Sequence, residues 1–85
     1  MLERDLQVNH PLGLHAQASA KVVQTLTAFR SQAFLMATGR EVNAKSIMGV
    51  MLLAAGPGTT LHARIQGDDE AEAMAALVAL FESGL

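Results

Sequence analysis

Over residues 2–8, Leu2, Leu6 and Val8 fall on one face of an extended segment and Glu3, Asp5 and Gln7 on the other, which predicts a half-buried strand. Asn9-His10-Pro11-Leu12-Gly13 interrupts that alternation with Pro and Gly and reads as a loop. From Ala16 to Phe29 the period lengthens. Ala18, Val22, Leu26 and Phe29 recur at intervals of three and four, flanked by Ala20 and Val23, while Lys21, Gln24 and Thr25 are left for water. That spacing predicts an amphipathic helix. Residues 32–38 make a short apolar strand around Phe34 and Met36, and Thr38-Gly39 folds it back into Arg40–Asn43 as a tight hairpin.

Ser46 precedes the apolar run Ile47-Met48-Gly49-Val50-Met51-Leu52-Leu53, and a serine ahead of a helical run is a good N-cap. Gly56-Pro57-Gly58 stops that helix. Leu61, Ala63 and Ile65 then alternate with Thr60, His62, Arg64 and Gln66 as the last strand. Gly67-Asp68-Asp69-Glu70 opens a final helix with acids where its dipole favours them, and Met74, Leu77, Val78 and Phe81 form its buried stripe. The predicted order is β-α-β-β-α-β-α, an α+β arrangement. Three helices on one face of a four-stranded, mainly antiparallel sheet would bury every stripe at once. Residues 1–85 read as a single domain, without repeats or linkers.

Composition narrows the function classes. Half the residues are hydrophobic, with no Trp or Tyr and three Phe, so the core has to be aliphatic. Six Lys and Arg against eight Asp and Glu give a net charge of −2, with no basic cluster, which argues against nucleic-acid binding. The absence of cysteine rules out disulfides and thiolate metal sites. No carboxylate–histidine spacing suggests a metal site, and nothing calls for a cofactor. Met1-Leu2-Glu3-Arg4-Asp5 is too charged for a signal-peptide core, and the longest apolar run, Ile47 to Ala55, is about half the length that crosses a bilayer. The expectation is a cytoplasmic protein with no membrane insertion.

Candidate chemistry centres on Gly13-Leu14-His15-Ala16-Gln17-Ala18-Ser19-Ala20. His15 stands where a Gly-marked turn gives way to helical spacing, so free N–H groups of a helix N-terminus lie beside its ring. Such a place suits an anion, a phosphoryl group above all, and imidazole is a usable nucleophile near neutral pH. The plainer reading is that His15 only caps the helix. Ile47, Met48, Met51 and Leu52 share one side of a short helix that is apolar almost all round, so one face is left exposed, while Val50 and Leu53 are assigned to the core. Methionine suits a surface that must fit several partners. Ser46 as a cap is worth about 1 kcal/mol. His10 is read as packing or facing solvent, and His62 as ordinary surface.

Two stretches resemble the HPr family, the small phosphocarriers of the bacterial phosphoenolpyruvate-dependent phosphotransferase system. Gly13–Ala20 is similar to the family's active-site pattern G-L-H-A-R-[PA]-[AST]-A, and Asn43-Ala44-Lys45-Ser46-Ile47-Met48-Gly49-Val50-Met51 to its regulatory serine segment. The resemblance implies an open-faced β-sandwich and a relay rather than a self-sufficient enzyme. His15 would take a phosphoryl group on Nδ1 from Enzyme I and pass it to a histidine of an Enzyme IIA protein, with the amides near Ala16 to Ala18 solvating its oxygens. Ser46 would be the target of HPr kinase/phosphorylase. Ile47, Met48, Met51 and Leu52 would form the docking patch, with Lys45 adding attraction to acidic partners. A monomer is expected, because a relay needs its docking face free.

One position departs from the pattern: Gln17 stands where the family has arginine, so its contact to the phosphoryl group would be neutral. A regulatory binding protein with weak phosphocarrier activity therefore stays open as an alternative, as does the choice between a sugar-transport and a nitrogen-related branch. A hydrolase of the acylphosphatase kind would need a cationic cradle, and Arg4, Arg30, Arg40 and Arg64 are scattered. A small-molecule sensor has no feature in its favour.

Overall fold

The computed structural model describes residues 1–85. Its elements are β1 (Leu2–Gln7), α1 (Ala16–Thr27), β2 (Gln32–Ala37), β3 (Arg40–Asn43), α2 (Ile47–Leu52), β4 (Thr60–Gln66) and α3 (Glu70–Glu82). The order and type match the periodicity. The sheet runs β1-β4-β2-β3, and every neighbouring pair is antiparallel. The connection through α1 leaves a one-strand gap between β1 and β2, and β4 fills it. This central strand carries the cleanest alternation: Leu61, Ala63 and Ile65 are fully buried under the helices.

A continuous apolar core of 22 buried residues joins that face to α1 (Ala18, Val22, Val23, Leu26) and α3 (Ala73, Met74, Leu77, Phe81). Val50 and Leu53 are buried, as their pattern predicts. Strand β2 shows its other face. Leu35 pairs with Ala63 on the helix side, so Ala33, Leu35 and Ala37 enter the core. Phe34 and Met36 point to the open side, where Phe34 lies opposite Arg64 and Met36 opposite His62. Phe34 packs its ring beneath the Arg64 guanidinium, 5.3 Å from the ring centroid. Leu2, at the end of an edge strand, is exposed, and Phe29 and Val78 only flank the core. Helix α1 stops at Thr27, two residues before Phe29, and Phe29 closes a tighter last turn by donating its N–H to the Leu26 carbonyl.

Asp69 holds the N-cap position of α3 but its carboxylate does not cap the helix. It accepts from the backbone N–H groups of Arg30 and Ser31, at 2.8 and 2.9 Å, and from the Ser31 hydroxyl. Those bonds clamp the α1–β2 turn to the β4–α3 turn. Gly67 makes the approach possible: a Cβ there would sit 2.5 Å from Ser31 Oγ.

Candidate functional site

The site begins with a close backbone contact. Gly13 has φ +65°, and a Cβ on it would lie 2.4 Å from the Ala55 carbonyl oxygen, so no other residue fits without displacing the chain. Leu14 N–H donates to that same carbonyl at 2.8 Å. Leu14 itself is buried as a plug, and the buried Ser19 hydroxyl donates to its carbonyl. The start of α1 is thereby stitched to the segment that follows α2.

His15 is the N-cap of α1, extended at φ −73°, ψ 178°. Its Nδ1 accepts from the backbone N–H of Gln17 at 3.2 Å and of Ala18 at 3.4 Å. An acceptor at Nδ1 places the proton of the neutral ring on Nε2, so the lone pair at Nδ1 is the one aimed at the helix amides. Both bonds lie at or beyond the long end of the usual range and are cheaply surrendered. An anion on Nδ1 would take over the amides that the bare nitrogen now engages. Ala16 and Gln17 are exposed, and the Gln17 side chain faces solvent. The rings of His10 and His15 meet edge to face with centroids 4.8 Å apart.

Along α2, Ile47, Met48, Met51 and Leu52 are all exposed, Met48 by 70%, while Val50 on the opposite side is fully buried. Leu12, in the loop leading to His15, is a further exposed large hydrophobic, at 72%. Leu12 belongs to no periodic stripe in the sequence. Its signal was its place between Pro11 and Gly13, where no helix or strand face can bury a leucine. Ser46 caps α2 as expected, its Oγ accepting from Gly49 N–H at 3.1 Å. The Lys45 Nζ donates to the Phe29 carbonyl at 2.8 Å and so ties the approach to α2 to the end of α1. Arg40 caps the other end of α2 through the Leu52 carbonyl.

His62 is more than ordinary surface. On the open face of the sheet its Nδ1 meets Asp5 at 2.8 Å and its Nε2 meets Glu3 at 2.6 Å. Hydrogen bonds to Asp5 and then Glu3 raise its pKa above the ordinary histidine value. No group of His, Asp and Glu side chains is arranged to hold a metal ion. The two surface clefts both border β1 and α3, and neither includes His15. His15 is half-buried at the surface and outside both clefts, which suits a macromolecular partner better than an enclosed small substrate. No helix is long and apolar enough to cross a membrane.

Comparison with known proteins agrees with this geometry. Residues 2–83 match the family described as the PTS HPr component phosphorylation site. The chain is 60% identical over 83 residues to the phosphocarrier protein HPr of Xylella fastidiosa, covering 98% of this chain and 93% of that protein. Among solved structures, HPr of Thermoanaerobacter tengcongensis superposes with a TM-score of 0.95 at 43% identity, covering 99% of this chain and 94% of that one. The Bacillus subtilis catabolite repression protein Crh, described as a dimer with a swapping domain, gives a TM-score of 0.79 at 40% identity over 100% of this chain and 98% of its own.

Proposed function

This chain belongs to the HPr family of phosphotransferase-system phosphocarriers, and from that premise we propose that His15 is the residue that carries the phosphoryl group, on Nδ1. The observation that carries this reading is the aim of Nδ1 at the amides of Gln17 and Ala18. In the transfer, the Nδ1 lone pair attacks the phosphorus carried by phosphorylated Enzyme I. The new N–P bond forms as the bond from phosphorus to the donor atom breaks, and the electron pair of that bond returns to the donor. Nε2 keeps its proton throughout. The amides that Nδ1 releases then donate to the phosphoryl oxygens, reinforced by the positive end of α1. Because these are ordinary neutral donors, they stabilise the phosphoramidate without trapping it, and the reverse displacement passes the group to a histidine of an Enzyme IIA protein.

The protein acts in the cytoplasm as a monomer, with Leu12, Ile47, Met48, Met51 and Leu52 docking both partners. Ser46 is a second, regulatory site for HPr kinase/phosphorylase. Its hydroxyl accepts in the cap and has no acceptor of its own, so phosphorylation would break no donated bond. It would add close to two negative charges beside the apolar patch and weaken docking. Incubation with phosphoenolpyruvate and Enzyme I tests the reading. Acid-labile phosphate should appear on the wild type and be absent from His15→Ala. Retention in that variant would move the site elsewhere. Failure of the folded wild type to label would favour a regulatory binding role centred on Ser46, the alternative that neutral Gln17 and the likeness to Crh keep in view.

A further inference from the structure

His10 has no part in the transfer described above, yet its ring lies against the nucleophile's. The two imidazole centroids are 4.8 Å apart with planes inclined at 64°, an edge-to-face contact. His10 is itself anchored twice by its own loop. Gly13 N–H donates to the His10 carbonyl at 2.9 Å, closing a turn over residues 10–13. Leu12 N–H donates to His10 Nδ1 at 3.0 Å. That second bond engages the Nδ1 lone pair of His10, leaves its neutral-ring proton on Nε2, and fixes the ring plane relative to the loop.

The restraints on His15 are of a different kind. Its ring is held by two long amide bonds to Nδ1, the same atom that has to form the bond to phosphorus. Once those amides turn to the phosphoryl oxygens, they no longer orient the ring. No charged side chain hydrogen-bonds to His15, and the Gln17 side chain is exposed. The edge-to-face contact with the His10 ring does not involve those amides.

We infer that His10 is a positioning residue for phosphoryl transfer, fixing the ring plane of His15 so that Nδ1 meets phosphorus in line. The inference rests on His15 being the phosphoryl acceptor. In-line displacement is sensitive to such alignment, and an edge-to-face contact of this kind corresponds to a rate factor of about three to ten.

Two substitutions separate the ring contact from the turn. His10→Asn keeps an oxygen that can accept from Leu12 N–H in an Asx turn but removes the ring. His10→Phe keeps a ring but removes the acceptor. Initial rates of phosphorylation by Enzyme I, measured against carrier concentration, should show kcat reduced about three- to tenfold in His10→Asn with KM unchanged. His10→Phe should restore kcat to within about twofold of wild type. An unchanged kcat in His10→Asn, or an equal fall in both variants, would overturn the inference. Side-chain NMR relaxation of the His15 ring supplies a readout independent of activity. The ring should gain mobility in His10→Asn at unaltered melting temperature, and unchanged mobility would also overturn it. A wild type that takes up no phosphate would instead refute the role of His15, with the ring measurement still deciding whether His10 holds it.

Discussion

At residue 17 a neutral amide stands where the resembled pattern has a guanidinium, and the difference has a calculable size. A neutral hydrogen bond contributes about 0.5–1.5 kcal/mol net and a charge-assisted one about 1.5–3. A deficit of about 1 kcal/mol applied wholly in the transition state is a factor of about five in rate. The exposed Gln17 side chain has space for a longer residue, so Gln17→Arg should raise the rate of phosphorylation by Enzyme I about fivefold. Equal rates for the two proteins in a rapid-quench series would show that the backbone amides of Gln17 and Ala18 already supply the stabilisation. His15 and Ser46 were both legible in the sequence, because capping is a local interaction written within three residues. The ring contact of His10 was not legible, because it depends on how a Pro- and Gly-containing turn folds back on the helix it precedes.

Between elements, the least legible feature is the Asp69 clamp. Its partners Arg30 and Ser31 lie almost forty residues away, so local pattern placed Asp69 only as an acid at a helix start. The Ser31 hydroxyl, followed by the backbone N–H of Arg30, holds the Asp69 carboxyl at about 2, below its ordinary 3.8. A depressed carboxyl favours folding fully above its unfolded value, and that contribution is lost as the pH falls towards the folded one. Asp69→Asn should therefore melt below wild type at neutral pH, with the gap closing between about pH 4 and pH 2. A gap independent of pH would assign the loss to shape rather than charge. His62 works in the opposite direction. Its raised pKa means that its bonds to Asp5 and Glu3 favour folding most below about pH 6.5 and fade as the pH rises through the folded value. His62→Gln should thus destabilise the protein in acid more than at pH 9, by differential scanning calorimetry. Strand patterns show the same division. Strand β4, apolar on one face only, could be oriented from its sequence. Strand β2, apolar on both, could not be, and its register with β4 puts Phe34 and Met36 outside.

For the whole molecule, the two sides of α2 differ in burial, and the proposed docking role predicts different consequences for each. Val50 is fully buried in the core, whereas Met48 is 70% exposed among the apolar side chains of the outer face. Val50→Ala should cost about 2 kcal/mol of stability and leave the KM for Enzyme I unaltered. Met48→Glu should leave the melting temperature within a degree or so and raise that KM about tenfold, the effect of losing one central interface side chain. If the charge at position 48 left KM unchanged, docking would have to use another face.

The most direct measurement is ¹⁵N and ³¹P NMR of histidine-labelled protein after phosphorylation by phosphoenolpyruvate and Enzyme I. A single phosphoramidate is expected, coupled to Nδ1 of His15, with the amide resonances of Gln17 and Ala18 shifted by new bonds to the phosphoryl oxygens. Phosphorus on Nε2 of His15, or on His10 or His62, would contradict it.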